Sequence, residues 1–366
     1  MSPSEQRICD RLRGCLLGSA VGDSIGLPRE GLSPRRAALF YGPIPLQHRF
    51  FLGRGMVSDD TEHAALTARA LLHSGGEITS FTRSLAWRLR AWFLTLPVAL
   101  GWATLRALVK LCAGFPPAKS GVFSAGNGPA MRAPILGAFL SNQPDKILPF
   151  VQVSTRITHT DPRAQEGALV IALAAAHGLE HGPSLNAGQF WESVESCVRN
   201  EELRSALKKV ETALSDNLTL SQFSTLMGFE KGVTGYMLHT VPAVLFCWLK
   251  TPGDVRAAVE NVVSLGGDAD TTGAIVGALA GATAGASAIP KSWVDNILDW
   301  PLSTHRLTEI ADQLAAVYPL KGQSPPTQPP QAWFRTIPRL LALPIRNFVF
   351  LLIVLAHGFR RVAPPY

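Results

Sequence analysis

The sequence predicts an all-α fold, and three observations carry that expectation. Apolar residues recur at helical spacing, or alanines run together, over residues 62–73, 129–140, 163–177, 189–209 and 274–288. Alternating strand patterns are scarce, and no repeat recurs along the chain. The 366 residues are 47% hydrophobic and 17% charged, which excludes a disordered scaffold and suits a buried core.

The N-terminal stretch MSPSEQRICDRLRGCLLG carries charges where a signal peptide needs an apolar run, so a cytoplasmic location is expected. The cysteines (Cys9, Cys15, Cys112, Cys197, Cys247) are odd in number and form no CxxC pair. They read as packing residues rather than disulfides or zinc ligands. GCLLGSAVGDSIGLPRE follows, with small residues that permit close helix packing and with Asp23 and Glu30 among glycines. By itself, Glu30 reads as a solvated charge on a loop.

Ser58-Asp59-Asp60-Thr61-Glu62 comes next, after the glycines of GRGM and before an apolar helix. Residues 81–115 interleave Arg83, Arg88, Arg90, Arg106 and Lys110 with Trp87, Trp92 and Trp102. Such a mixture can bind nucleic acid, but the chain holds no nucleic-acid motif and its body is almost neutral. Helices packed on the core are the better reading, and no nucleic-acid partner is expected.

Ser124-Ala125-Gly126-Asn127-Gly128-Pro129 leads into MRAPILGAFL. This glycine loop is either an ordinary helix start or a cradle of exposed amides for a phosphate. Thr158-His159-Thr160-Asp161-Pro162-Arg163 opens another helix, with Thr160 or Asp161 as cap and Pro162 in the first turn. His159 there is a structural hydrogen-bonder or a catalyst. Tyr236 and His239 pose the same choice in GYMLHTVP, where core packing is favoured.

Gly266-Gly267-Asp268-Ala269-Asp270-Thr271-Thr272-Gly273 is the second acidic motif, followed by the small-residue run AIVGALAGATAGA. Helix capping explains one Ser or Asp at each helix start, worth about 1 kcal/mol. It does not explain several adjacent acids, whose repulsion and burial cost several kcal/mol unless a cation neutralises them. Oxygen ligands without Cys or His point to a hard cation, Mg²⁺, Mn²⁺ or Ca²⁺. If the two loops face each other, they suit two-metal hydrolysis.

The helical pattern ends near Tyr318. A Pro- and Gln-rich linker is expected over residues 319–332, and an apolar, basic helical tail over 333–366. The tail explains the chain's formal charge of +7. Lys321, Arg335, Arg339, Arg346, Arg360 and Arg361 follow residue 320 without an acid, leaving residues 1–320 near +1. The uninterrupted apolar run 348–356 makes only about 14 Å of helix, whereas a bilayer core needs about 20 residues. A membrane-surface anchor is favoured over a tail packed on the body, a dimer partner or a spanning helix.

In this order GCLLGSAVGDSIG, SDDTE, SAGNGPAMR, THTDPRA, GYMLHTVP and GGDADTTGAIVGALAG resemble the ADP-ribosylglycohydrolase family, over roughly residues 10–290. The resemblance implies a compact single-domain helical fold over residues 1–318 with a binuclear Mg²⁺ or Mn²⁺ centre. It implies hydrolysis of the bond between ADP-ribose and an acceptor, such as a modified arginine or serine of a protein, or a small ADP-ribosyl substrate. By the resemblance Ser58, Asp59, Asp60, Asp268, Asp270 and Thr271 hold the metals, with Ser58 where many members have threonine. Glu30 falls at a glutamate that contacts or gates substrate, and it joins Asp59, Asp60 and Asp268 as a catalytic candidate. Ser124, Gly126, Asn127 and Gly128 match the loop that holds the diphosphate, and His159 matches a segment near the cleft. The tail has no counterpart. Two alternatives stay open: hydrolysis of another ADP-ribose derivative or nucleotide sugar, and a non-catalytic ADP-ribose binder.

Overall fold

The computed structural model describes residues 2–318 and 337–362, and the Pro-rich linker expected at 319–332 lies outside the described residues. Among those described, every regular element is a helix, and the only β pairings are isolated bridges. The expected all-α class is what the structure adopts.

The N-terminal helix, Pro3–Gly26, begins at a capping box in which Ser2 and Glu5 satisfy each other's backbone amides. It lies antiparallel against Ala269–Ala284, and the two form the centre of the molecule. A β-carbon at Gly14, Gly18 or Gly22 would stand 2.1, 2.0 or 1.9 Å from the carbonyl oxygen of Gly281, Gly277 or Gly273. Only the missing side chains allow these backbones to touch. Gly18→Val is expected to lower stability by at least roughly 1–3 kcal/mol through overpacking, read as a shift in the urea midpoint at unchanged slope.

This pairing brings Asp23 and the loop carrying Glu30 to the end where Asp268 and Asp270 begin the partner helix. Asp59–Ser74, Ala133–Leu140, Pro162–His181 and Met237–Lys250 surround the central pair. Ser58 caps the first of these by accepting from the Asp60 amide, and Asp161 caps the third by accepting from Arg163.

Two expected helices are divided. The 189–209 stretch is Ala187–Cys197 and Glu201–Ser215, because Asn200 caps a new helix and Glu166 accepts the amides of Arg199 and Asn200. The 274–288 stretch ends at Ala284, where Gly285 takes a φ of 91°. Helices Ile78–Phe93 and Trp102–Cys112 pack through Phe81, Leu85, Leu89, Leu108 and Leu111, as expected, while Trp87 and Trp102 face outward. Cys9, Cys15 and Cys247 are buried packing residues, whereas Cys112 is exposed.

The tail forms one helix, Ile337–Val362, which lies along loops of the body. Arg346 bonds Asp299 and the Val57 carbonyl, Asn347 donates to the Thr95 carbonyl, and His357 reaches Tyr41 and the Phe50 carbonyl. Phe350 is buried between them against Phe50. The tail is thus packed on the body, where Arg346, Asn347 and His357 find their partners.

Candidate active site

Three loops meet at one end of the central helix pair. The Gly31 amide donates to the Gly267 carbonyl at 2.7 Å, and the Gly267 amide returns the bond to Leu32 at 2.7 Å. Val233 donates to Gly266 at 3.0 Å and accepts from the Asp268 amide at 2.7 Å. Gly267 must be glycine: its φ is 79°, and a β-carbon would lie 2.0 Å from the Val233 carbonyl oxygen.

The two acidic motifs, some 200 residues apart in sequence, come together here. Thr271 donates its hydroxyl to Asp60 Oδ2 at 3.2 Å, and Ser58 donates to the same oxygen at 3.1 Å. The other Asp60 oxygen is buried without a partner. Burial followed by repulsion from neighbouring carboxylates lifts Asp59, Asp60 and Asp270 well above the usual carboxylate range. Asp268 rises by burial alone, and Glu30 rises by burial and by the nearby Asp268. Glu30 is therefore a half-buried member of the acidic group rather than a solvated charge.

Capping accounts for only part of this arrangement. Ser58 performs the cap of its helix, which leaves Asp59 and Asp60 outside that role. Asp268 occupies the cap position of its helix but makes no side-chain cap bond. Its carboxylate instead accepts from Asn127 Nδ2 at 2.6 Å. Among the described residues, no three Asp, Glu, His or Cys side chains converge closely enough to form a ready-made metal cage. The acids are neighbours joined through hydroxyls.

Asn127 also ties the glycine loop to the site. Its side chain donates to Thr240 at 2.9 Å, its amide donates to Gly235 at 2.9 Å, and Met237 donates to Ala125 at 2.8 Å. The Gly126 amide donates to Ser124 Oγ at 3.2 Å. The Gly126 and Asn127 amides thus shape the loop, and the half-buried Ser124, Ala125, Gly126 and Gly128 form its outer surface. Tyr236 bridges this segment to Arg163 at 3.2 Å.

The structure places His159 beneath the glycine loop, 2% exposed, with its ring against Gly126 and Gly128. Burial, then the nearby Arg132, pushes its pKa from 6.5 to about 3, so it is neutral at pH 7. His63 is lowered by the same two causes. A histidine held neutral by the fold contributes stability that is lost as pH falls below about 6.5 and that continues to fall toward about 3. His159→Asn is therefore expected to narrow the difference in melting temperature between pH 7 and pH 5, measured by circular dichroism.

Sequence reasoning missed Asp23 as part of this site. Its Oδ2 accepts from the Ser58 amide at 2.9 Å, the Thr61 amide at 3.2 Å and the Thr61 hydroxyl at 2.5 Å, fixing the first acidic loop. Burial raises Asp23 to about 7 against the pull of these donors. The available signal was a carboxylate inside a small-residue helix. Asp299 and Arg346, which hold the other side of this loop, gave none.

The ADP-ribosylglycohydrolase family model matches residues 4–324 of this chain. An uncharacterised protein of Archaeoglobus fulgidus is 30% identical over 308 residues, 79% of this chain and 92% of that protein. ADP-ribosyl-[dinitrogen reductase] glycohydrolase of Rhodospirillum rubrum is 28% identical over 321 residues, 86% of this chain and 97% of the relative. ADP-ribosylhydrolase ARH3 of Xenopus tropicalis is 27% identical over 342 residues, 81% and 95% of the two chains. A solved structure titled ADP-ribosylglycohydrolase-related protein complex aligns with a TM-score of 0.65 and 27% identity, over 85% of this chain and 99% of that one. The described fold and these matches lead to one conclusion: this chain belongs to the ADP-ribosylglycohydrolase family and is an enzyme that hydrolyses ADP-ribose linkages.

Proposed function

We propose that the chain is a divalent-cation-dependent hydrolase that releases ADP-ribose from a modified protein side chain, arginine or serine. The observation that carries this reading is the meeting of both acidic motifs through Thr271 and Asp60, with Asp60 Oδ1 buried and unpartnered. Crowded, desolvated carboxylates with neighbouring hydroxyls suit a hard cation. Ser58, Asp59, Asp60, Asp268, Asp270 and Thr271 would hold two Mg²⁺ or Mn²⁺ ions. Bound there, the ions would neutralise the acids and lower the pKa of water.

The chain's own groups supply the rest. Asp59, Asp60 or Asp268 accepts a proton as the water oxygen bonds the ribose anomeric carbon. The bond from that carbon to the acceptor breaks, the proton passes to the departing acceptor, and the acidic wall stabilises the positive character that develops at the carbon. The glycine loop, tied to Asp268 by Asn127, would hold the diphosphate and so fix the anomeric carbon against the acids. Glu30, half-buried near Asp268, is suited to contact the substrate.

The test is release of ADP-ribose from ADP-ribosyl-arginine and ADP-ribosyl-serine peptides, with Mg²⁺, with Mn²⁺ and with chelator. Release is expected with one linkage and one or both metals, and is expected to stop with chelator. Undiminished release by an Asp59→Ala, Asp268→Ala double variant would sink the assignment.

A further inference from the structure

The C-terminal helix packs Phe350, Ile353 and Val354 inward together with several polar side chains, and leaves a broad stripe of large apolar side chains outward, which a helix on a water-facing surface does not do. Arg346, Asn347, His357 and Arg361 all bond the body, the last through the Pro28 carbonyl at 3.0 Å. The opposite stripe is Ile345, Phe348, Val349, Leu352, Leu355 and Phe359, all exposed. Their spacing places them on one side of the helix.

The loops that receive the inner face carry exposed apolar side chains of their own. Thr95, which accepts from Asn347, lies between exposed Leu94 and Leu96. Phe50, which accepts from His357, precedes Phe51 and Leu52, the latter 88% exposed. Asp299, which pairs with Arg346, lies between exposed Leu298 and Trp300. Loops from three distant parts of the chain thus present large apolar side chains beside one apolar helix, more than scattered surface residues account for.

From this we infer that the face docks on an anionic membrane surface, with the helix lying in the interfacial plane. Exposed Arg49, Arg54 and Arg360 belong to the same segments, and Arg35 and Arg36 neighbour the helix end through the Arg36–Arg361 contact. Basic residues around an apolar face complement anionic headgroups. In a symmetric pair of chains the same basic side chains would face each other, which opposes a second copy as the occupant. The stretch Ala342–Val362 is long and apolar enough to cross a bilayer by length and composition. Spanning, however, would pull Arg346 away from Asp299 and Glu62 and leave buried acids unpaired.

The inference does not depend on which linkage the enzyme cleaves. The test is co-sedimentation of the full chain with vesicles of phosphatidylcholine containing phosphatidylserine, and with phosphatidylcholine alone. Binding to the anionic vesicles, weakened by high salt and released by alkaline carbonate, is the expected result. Leu352→Glu and Phe359→Glu, both on the outer face, are each expected to weaken binding by about tenfold or more with unchanged melting temperature. Three results would overturn the inference. One is a full chain that stays in the supernatant with both vesicles. Another is retention through alkaline carbonate, which identifies a spanning helix. The third is a dimer in analytical ultracentrifugation that the two variants convert to monomer, which identifies a second copy as the occupant.

Discussion

Asp60→Asn is expected to lower the rate of ADP-ribose release by about 10²–10³-fold, the usual effect of removing one group that stabilises developing charge. The same substitution is expected to raise the melting temperature measured in chelator. Asp60 is 1% exposed, one of its oxygens is unpartnered, and its carboxyl is destabilised by burial and by Asp59, Asp23 and Asp268. Removing the charge removes that repulsion. The order should invert when Mg²⁺ is added. A ligand that binds only the folded state raises stability by mass action, so the wild type gains and the variant gains little. A purely structural Asp60 predicts the opposite pattern: lower stability in chelator and no metal-dependent crossover. Activity and two melting curves therefore separate the readings.

Arg346→Met is the second large effect, and it tests the tail. Arg346 is 7% exposed and spans three groups behind the first acidic motif. Its guanidinium bonds Asp299 at 3.2 and 2.7 Å, donates to the Val57 carbonyl, and lies 3.7 Å from Glu62. Asp299 in turn accepts from the Val57 amide at 2.9 Å. Burial works against the charge of Arg346, yet Asp299 and Glu62 hold it above its ordinary pKa. Deleting one member of such a buried set leaves uncompensated charge and costs about 3–5 kcal/mol. The expected result is a matching loss in urea unfolding, partly recovered by Asp299→Asn in the Arg346→Met background. Because Val57 adjoins Ser58, a fall in turnover is also expected. If Arg346→Met unfolds like the wild type, the helix is not part of the folded core.

Much of the site was legible in the sequence because it breaks local rules. Asp59 beside Asp60, and Asp270 two residues after Asp268, are poor neighbours unless something binds them. Such conflicts are visible without a structure. The helices were legible for the opposite reason: spacing, caps and glycines agree, as at Ser2, Ser58 and Asp161. Single polar residues whose meaning depends on a distant partner were not legible. Asp23 looks like an acid in a small-residue helix until Ser58 and Thr61 are seen to donate to it. Asn127 is placed by resemblance in the diphosphate loop, but its bond to Asp268 appears only in the fold. His159 gave no sign that it would be buried beneath the glycine loop.

By itself the sequence determined that the chain is helical and that its excess positive charge belongs to the tail, and it singled out two acidic motifs. It also showed two small-residue helices. Their pairing was decided in three dimensions, where Gly14, Gly18 and Gly22 must fit against Gly281, Gly277 and Gly273 within van der Waals reach of the backbone. That antiparallel fit sets Asp23 and Glu30 beside Asp268 and Asp270, and so creates the site. The tail shows the same division. Its composition gave an apolar helix with basic residues, but not which way each residue points. The body turns the polar side chains inward because buried Asp299 and Glu62 need a cation, and the apolar stripe is left facing out. Local pattern is a property of neighbours along the chain, whereas charge neutralisation and backbone contact are properties of groups that only folding makes neighbours.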